Sequence, residues 1–304
     1  MEEILKKYNT DINKEFDLVK PILDKHILEG RTNYHDILKR MYSFYIITQY
    51  ISNNNNFEFK GYEMELVGIL NKIELNFWGI YSCLKNGALI EAMIIKRSML
   101  ESVVTLDIIL KENTVERLKL YSNFKHILRW KQIEKHEKLD EIENIERIRK
   151  GLKPQKFDKT ISSEMYNSYK KSYEILKDDY PNKSSWYSKE FKGGGMKNLC
   201  DYLGGKYPRE YIAVYGTIST LIHGGSNITD YYSEFSNPKG NVITNMPRFD
   251  DLNISIGVTS IELCSRSLLS FLRHFKFLNL EHLDSYIEIF VDMVFQDFSS
   301  NKHE

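Results

Sequence analysis

The stretch that most constrains this chain runs from Ala88 to Leu110, ALIEAMIIKRSMLESVVTLDIIL, which is apolar on nearly every side yet carries Arg97 and Glu101. On a helix of 3.6 residues per turn those two charges share a stripe with Ile90, Ile94, Val104 and Ile108. The sequence therefore predicts a core helix with both charges pointing inward. Glu91, Lys96, Arg97, Glu101 and Asp107 break the apolar run well short of the ~18–20 residues that a membrane span requires. No membrane association is expected, and the mixed charge of MEEILKKYNTDINKEF at the start is unlike a secretory signal.

Helical periodicity continues on both sides of this stretch. Leu66, Ile69, Leu70, Ile73, Phe77, Ile80 and Leu84 form one apolar face, and Asn86-Gly87 is a tight break before the central helix. Two long helices joined this closely predict an antiparallel hairpin. Further helices are expected at Tyr34–Ser52, from Thr114 (N-capped by Asn113) to a stop at Gly151, at Ser162–Lys177, Met196–Leu203, Pro208–His223, Asp251–Phe277 and His282–Phe298. Pro21 marks a kink or break in an amphipathic segment over residues 1–28. Turn residues fill 224–250, the longest expected loop, and no run looks long enough to build a sheet. The expected fold is all-α, an irregular multi-helix bundle built on the long antiparallel hairpin, with residues 1–60 as an N-terminal helical extension and 61–304 as the helical core domain.

Charge and cysteine content narrow the function classes. Lys plus Arg number 42, as do Asp plus Glu, so any nucleic-acid contact has to be local. Cys83, Cys200 and Cys264 are odd in number and lack ligand spacing, which fits reduced core thiols in a cytoplasmic protein. The Ile, Lys, Glu, Tyr and Asn bias fits an A+T-rich bacterial genome. An apolar terminal helix, Tyr286–Phe298, is a candidate face for a homodimer.

Two groups of residues can carry chemistry. Arg97 and Glu101, at i and i+4, can pair; the guanidinium fork suits a phosphate or carboxylate, with Glu101 holding it in place. A structural ion pair at the core edge explains them equally well. In YIAVYGTISTLIH, Tyr211, Tyr215, Ser219 and His223 line one side of a helix that ends at Gly224-Gly225. His223 at a helix C-terminus is favoured as imidazolium, and a capping histidine beside hydrogen-bonded tyrosines is the plain alternative. No strand–turn–helix elbow supports a serine hydrolase. No second histidine at i+3 or i+4 supports a metal site, and no cofactor is implied.

Trp78, LKNGALIEAMIIKRSMLES, SSWYSKEF, KNLCDYLG and YIAVYGTISTLIHGG together resemble a family of bacterial helical proteins known only as a domain of unknown function. The resemblance spans roughly residues 65–275, its marks being Arg-x-x-x-Glu (Arg97, Glu101) and Ser-x-x-x-His (Ser219, His223). A more distant similarity is to HEPN-class helical modules of toxins and phage-defence systems, many of them metal-independent ribonucleases. Those modules carry an Arg shortly before a His on one late helix, and nothing basic precedes His223 here. Arg129 and His136 fit that spacing within a charged, solvent-facing helix. A composite site, assembled from these residues and not shown by the motif, joins Arg97, Glu101 and His223 for action on RNA, with Ser219, Tyr215 and Tyr211 binding it. The rival readings are a module that binds a nucleotide or other small anion, and an interaction protein.

Overall fold

A computed structural model describes residues 20–21, 23–54, 59, 61–155, 162–180, 185–191, 195–216, 233–236, 242–275 and 280–300. Over these residues the protein is all-α, as its apolar spacing predicts: α1 (23–33), α2 (His35–Asn54), α3 (Met64–Lys85), α4 (Leu89–Lys111), α5 (Thr114–Arg149), α6 (Ser163–Leu176), α7 (Met196–Leu203), α8 (Tyr207–Tyr211), α9 (Asp251–Phe275) and α10 (Leu280–Ser300). A π-helical turn, Ile212–Gly216, continues α8. Inside the segment expected to be loop, β1 (Ser233–Ser236) and β2 (Val242–Met246) pair antiparallel, with Ser233 opposite Met246 and Ser236 opposite Val242. Strands of four and five residues are too short for alternation to stand out in the sequence.

The chain divides into two compact units. Described residues within Met1–Glu58, Leu66–Leu110 and Leu203–Glu304 form the first, and those within Phe59–Glu65 and Lys111–Tyr202 the second. In the first, α3 buries Leu66, Ile69, Leu70, Ile73, Phe77, Ile80 and Leu84 at spacings of three and four, and Phe44 of α2 lies edge-on to Phe77. Gly257 of α9 sits so close to α2 that a Cβ there would lie 2.5 Å from Ile37 Cγ1. Ile287, Phe290 and Val294 turn α10 inward, while Tyr286, Ile289 and Met293 on its other side are exposed.

On α4 the core direction is set by Leu89, Ala92, Met93, Met99, Leu100 and Val103, all buried. The Arg97–Glu101 stripe lies about a quarter turn to the side of these. Ile94 in that stripe is exposed, Val104 and Ile108 are buried, and the Arg97 and Glu101 side chains are 26% and 41% exposed. The expected inward orientation is thus corrected: the more numerous apolar residues turn the helix, leaving the charges at the core edge, where they keep contact with water.

In the second unit α5 packs on α6 through Ile127, Trp130, Tyr173 and the following Tyr180, whose hydroxyl donates to the Leu120 carbonyl at 2.7 Å. Asn113 does not cap α5 with its side chain; it adopts a left-handed conformation (φ 51°) and the Arg117 amide bonds its carbonyl. Ser162 does cap α6, accepting from the Met165 amide. The far end of α5 is exposed, as its charge predicts, and stops one residue before Gly151 turns left-handed (φ 72°).

Arg117 is the most deeply buried cation described, with a side chain 1% exposed. Its Nε donates to Glu190 Oε2 at 2.9 Å and its Nη2 to Glu190 Oε1, completing a bidentate pair. Nη2 also reaches Glu112 Oε1 at 3.2 Å and the Tyr202 hydroxyl at 3.3 Å. This knot ties the start of α5 to the 185–190 turns and to α7.

Candidate functional site

Two polar groups meet α4 in the first unit. One contains the residues expected from the sequence. Arg97 Nε lies 3.5 Å from Glu101 Oε1, and the Tyr215 hydroxyl donates to the same carboxylate oxygen. The guanidinium carbon stands 4.3 Å from the centroid of the Tyr215 ring, a cation–π distance. Tyr211 stacks on Tyr215, ring centroids 4.6 Å apart and planes 21° from parallel. Burial and the neighbouring Glu101 push the Tyr215 phenol above its ordinary range, so it stays a donor. The π-helical turn that carries Tyr215 widens α8 by a residue, a distortion common at functional positions, and Val214 anchors it in the core.

The structure therefore brings Arg97, Glu101, Tyr211 and Tyr215 together. Ser219 and His223, expected on the same helix, lie outside the described residues. Arg129 and His136 are both exposed on α5, and Arg129 reaches only Gln132, at 3.5 Å. What the described corner offers chemically is a cation fixed by a carboxylate on one side and an aromatic face on the other, with its side chain 26% open to solvent.

The second group was not anticipated. Lys96 and Asp107, three helical turns apart, lie on one side of α4. Lys96 donates to Thr259 of α9, and burial lowers its pKa to about 8 despite nearby Glu210 and Glu262. The Tyr207 hydroxyl donates to Asp107; burial raises the Asp107 pKa, with the Tyr207 hydrogen bond and the Arg266 charge opposing. Arg266 Nη2 donates to Glu210 at 2.7 Å, and its guanidinium lies 4.2 Å from the Tyr207 ring centroid. Of these residues Tyr207, Glu262 and Arg266 border an open cleft of about 540 Å³, lined also by Gly204, Gly205 and Lys206. The signal available was the i, i+11 placement of Lys96 and Asp107 on the side of α4 that also carries Leu89, Leu100 and Val103.

These observations define an all-helical protein with a solvent-edge Arg–Glu–Tyr corner and a buried polar seam beside it. A family model matches residues 66–240, more than half of the chain, and the chain belongs to that family, described as a family of unknown function (DUF5677). The matched residues include Arg97, Glu101, Tyr211, Tyr215, Ser219 and His223, and leave out Arg266 and Glu262. No curated protein and no solved structure matches the chain. Among the described residues no helix is long and apolar enough to cross a membrane.

Proposed function

We propose that the protein binds RNA at the Arg97–Glu101–Tyr215 corner and cleaves it without a metal, in the manner of HEPN-like ribonucleases of toxin or phage-defence systems. The observation that carries this reading is the held but open Arg97. Glu101 and the Tyr215 ring fix the guanidinium in place while part of it faces solvent, the preorganised arrangement that stabilises charge developing on a phosphate. His223 supplies proton transfer: it takes the proton from a ribose 2′-hydroxyl, the 2′ oxygen attacks the adjacent phosphorus, and the bond to the 5′ oxygen breaks. The departing oxygen takes a proton from the resulting imidazolium, leaving a 2′,3′-cyclic phosphate and a 5′-hydroxyl. Tyr211 stacks on a base, Tyr215 contacts the substrate beside the guanidinium, and Ser219 binds phosphate in this reading.

The test is incubation of total RNA with purified wild-type, His223→Ala and Arg97→Ala proteins. Both substitutions should abolish cleavage with the melting temperature nearly unchanged. A His223→Ala protein that unfolds, from a wild type that cuts nothing, sinks the reading.

A second reading is favoured by the contacts that Arg97, Glu101 and Tyr215 make with one another. They then form a non-catalytic corner that binds a nucleotide or another small anion, or that supports an interaction surface. Nucleotides that raise the melting temperature of a cleavage-inactive wild type would select it. A homodimer through the exposed Tyr286, Ile289 and Met293 of α10 belongs to the same reading, with sedimentation as its measurement.

A further inference from the structure

Helices α2 and α3 each carry a second apolar face that the first unit does not cover. Met41, Phe44 and Thr48 point α2 into the core, yet Tyr42, Ile46 and Tyr50 on its other side are 47%, 49% and 66% exposed. On α3, Leu75 is 67% exposed beside a half-buried Trp78. The rings form one continuous surface: Trp78 lies 4.7 Å from Tyr45, 5.0 Å from Tyr81 and 6.4 Å from Tyr42, centroid to centroid. Contiguous apolar exposure of this kind on a folded unit marks a place where something binds.

The charges around these rings select the partner. Between Lys39 and Asn54, and between Leu66 and Lys85, Lys39, Lys72 and Lys85 are exposed and Arg40 pairs with Asp297; Lys39 lies one turn from Tyr42, and the exposed Asp36 one turn before Lys39. Glu74, the one carboxylate in those two stretches, is buried and accepts from Gln49 at 3.2 Å. Lys85 stands 5.7 Å over the Tyr81 ring. Exposed aromatic rings bordered by Lys39 and Lys85 suit a polyanion whose flat groups can stack.

We infer that the α2–α3 face is a stacking platform for single-stranded nucleic acid, with unpaired bases on Tyr42, Tyr45 and Trp78 and phosphates met by Lys39 and Lys85. Duplex bases have their faces covered and cannot stack on side chains in this way. The platform is separate from the Arg97 corner and rests on the proposed RNA reading only for the choice of RNA as first probe.

The experiment is fluorescence anisotropy of a labelled oligouridylate whose 2′ positions are methylated so that it cannot be cut, with oligothymidylate and an RNA duplex alongside. Both single strands should bind, and the duplex more weakly. Tyr42→Ala, at an exposed position, should weaken binding about tenfold, the loss expected for one stacked base. Lys39→Glu with Lys85→Glu should flatten the salt dependence. In a Trp130→Phe, Trp186→Phe background, the oligouridylate should quench Trp78 fluorescence. Arg97→Ala and His223→Ala should abolish cleavage while the oligouridylate still quenches Trp78 fluorescence, so loss of cleavage and loss of the platform are distinguishable. A wild type that binds no oligonucleotide overturns the proposal, as does a Tyr42→Ala protein that binds normally. So does a Tyr42→Ala protein that only dissociates self-associated wild type, which would assign this face to a second copy of the chain.

Discussion

Lys96 and Arg97 are adjacent in sequence and meet opposite surroundings. Arg97 lies at the core edge and keeps water on one side. Lys96 turns toward α9, where burial brings its pKa from 10.5 down to about 8. A lysine whose folded pKa is depressed destabilises the fold wherever the unfolded chain holds the extra proton. The penalty is full below pH 8 and is lifted as the pH rises from 8 towards 10.5. Lys96→Met should therefore raise the melting temperature at pH 7 by about 2–4 °C, corresponding to about 1 kcal/mol in a chain of this size, and should remove the upward slope of stability with pH. Glu210 and Glu262 keep cations after this change, since Arg266 and Lys206 pair with them. A Lys96→Met protein that melts below wild type at pH 7 would rule out this account. Helical spacing made Arg97 with Glu101, and Tyr211 with Tyr215, legible as candidates, because each pair lies about one turn apart. It could not show that Lys96 and Asp107 belong to a polar seam, since their partners come from α8 and α9; Tyr207 and Asp107 are 100 positions apart.

At the scale of elements, the break between α3 and α4 does more than reverse the chain. Gly87 adopts φ +71°, and the Ala88 amide bonds the Cys83 carbonyl at 2.9 Å, closing α3. The Gly87 carbonyl accepts from the Arg248 amide at 2.8 Å. The next residue, Phe249, lies over both Gly87 and Gly30 of α1, where a Cβ on Gly30 would fall 2.3 Å from its ring. His26 completes the seat, its Nε2 2.6 Å from the Pro247 carbonyl. The Asn86-Gly87 turn could be read from two residues; what fills it could not, because nothing local marks Phe249 as its occupant. Gly30→Ala should destabilise by about 1–3 kcal/mol through overpacking. The double variant with Phe249→Ala should cost less than the two single losses together, because the clash disappears with the ring. Denaturant titration of the four proteins measures this, and strict additivity would sink the proposed seat. Gly87→Ala should cost more than Gly204→Ala: both have left-handed φ values, 71° and 72°, yet only Gly87 has a neighbour, Pro247 Cβ at 2.5 Å, where the new methyl would go.

For the molecule as a whole, composition and periodicity were enough for an all-helical fold, while the division of the chain into two compact units follows contacts between distant segments. Arg117 shows why: it is one of 42 basic residues, on a helix whose charges mostly face solvent, and only its meeting with Glu190 in SSWYSKEF makes it a core residue. Its two carboxylate partners are not equally confined, for Glu190 is 35% exposed and Glu112 53% exposed while Arg117 is 1% exposed. Removing the cation leaves two carboxylates that can turn to water. Removing Glu190 leaves a guanidinium in the core without its bidentate partner, the costlier state for a buried pair. Glu190→Ala should therefore destabilise by about 3–5 kcal/mol, and Arg117→Met, which keeps most of the side-chain volume, by less. Tryptophan fluorescence can follow the loss in place, because Trp130 and Trp186 lie in the same unit as Arg117 and Trp78 lies in the other. In single-tryptophan backgrounds the Glu190→Ala transition reported by Trp130 should move to lower denaturant, while that reported by Trp78 moves less. An Arg117→Met protein less stable than Glu190→Ala would mean that packing around the side chain, rather than its unpaired charge, holds this unit together.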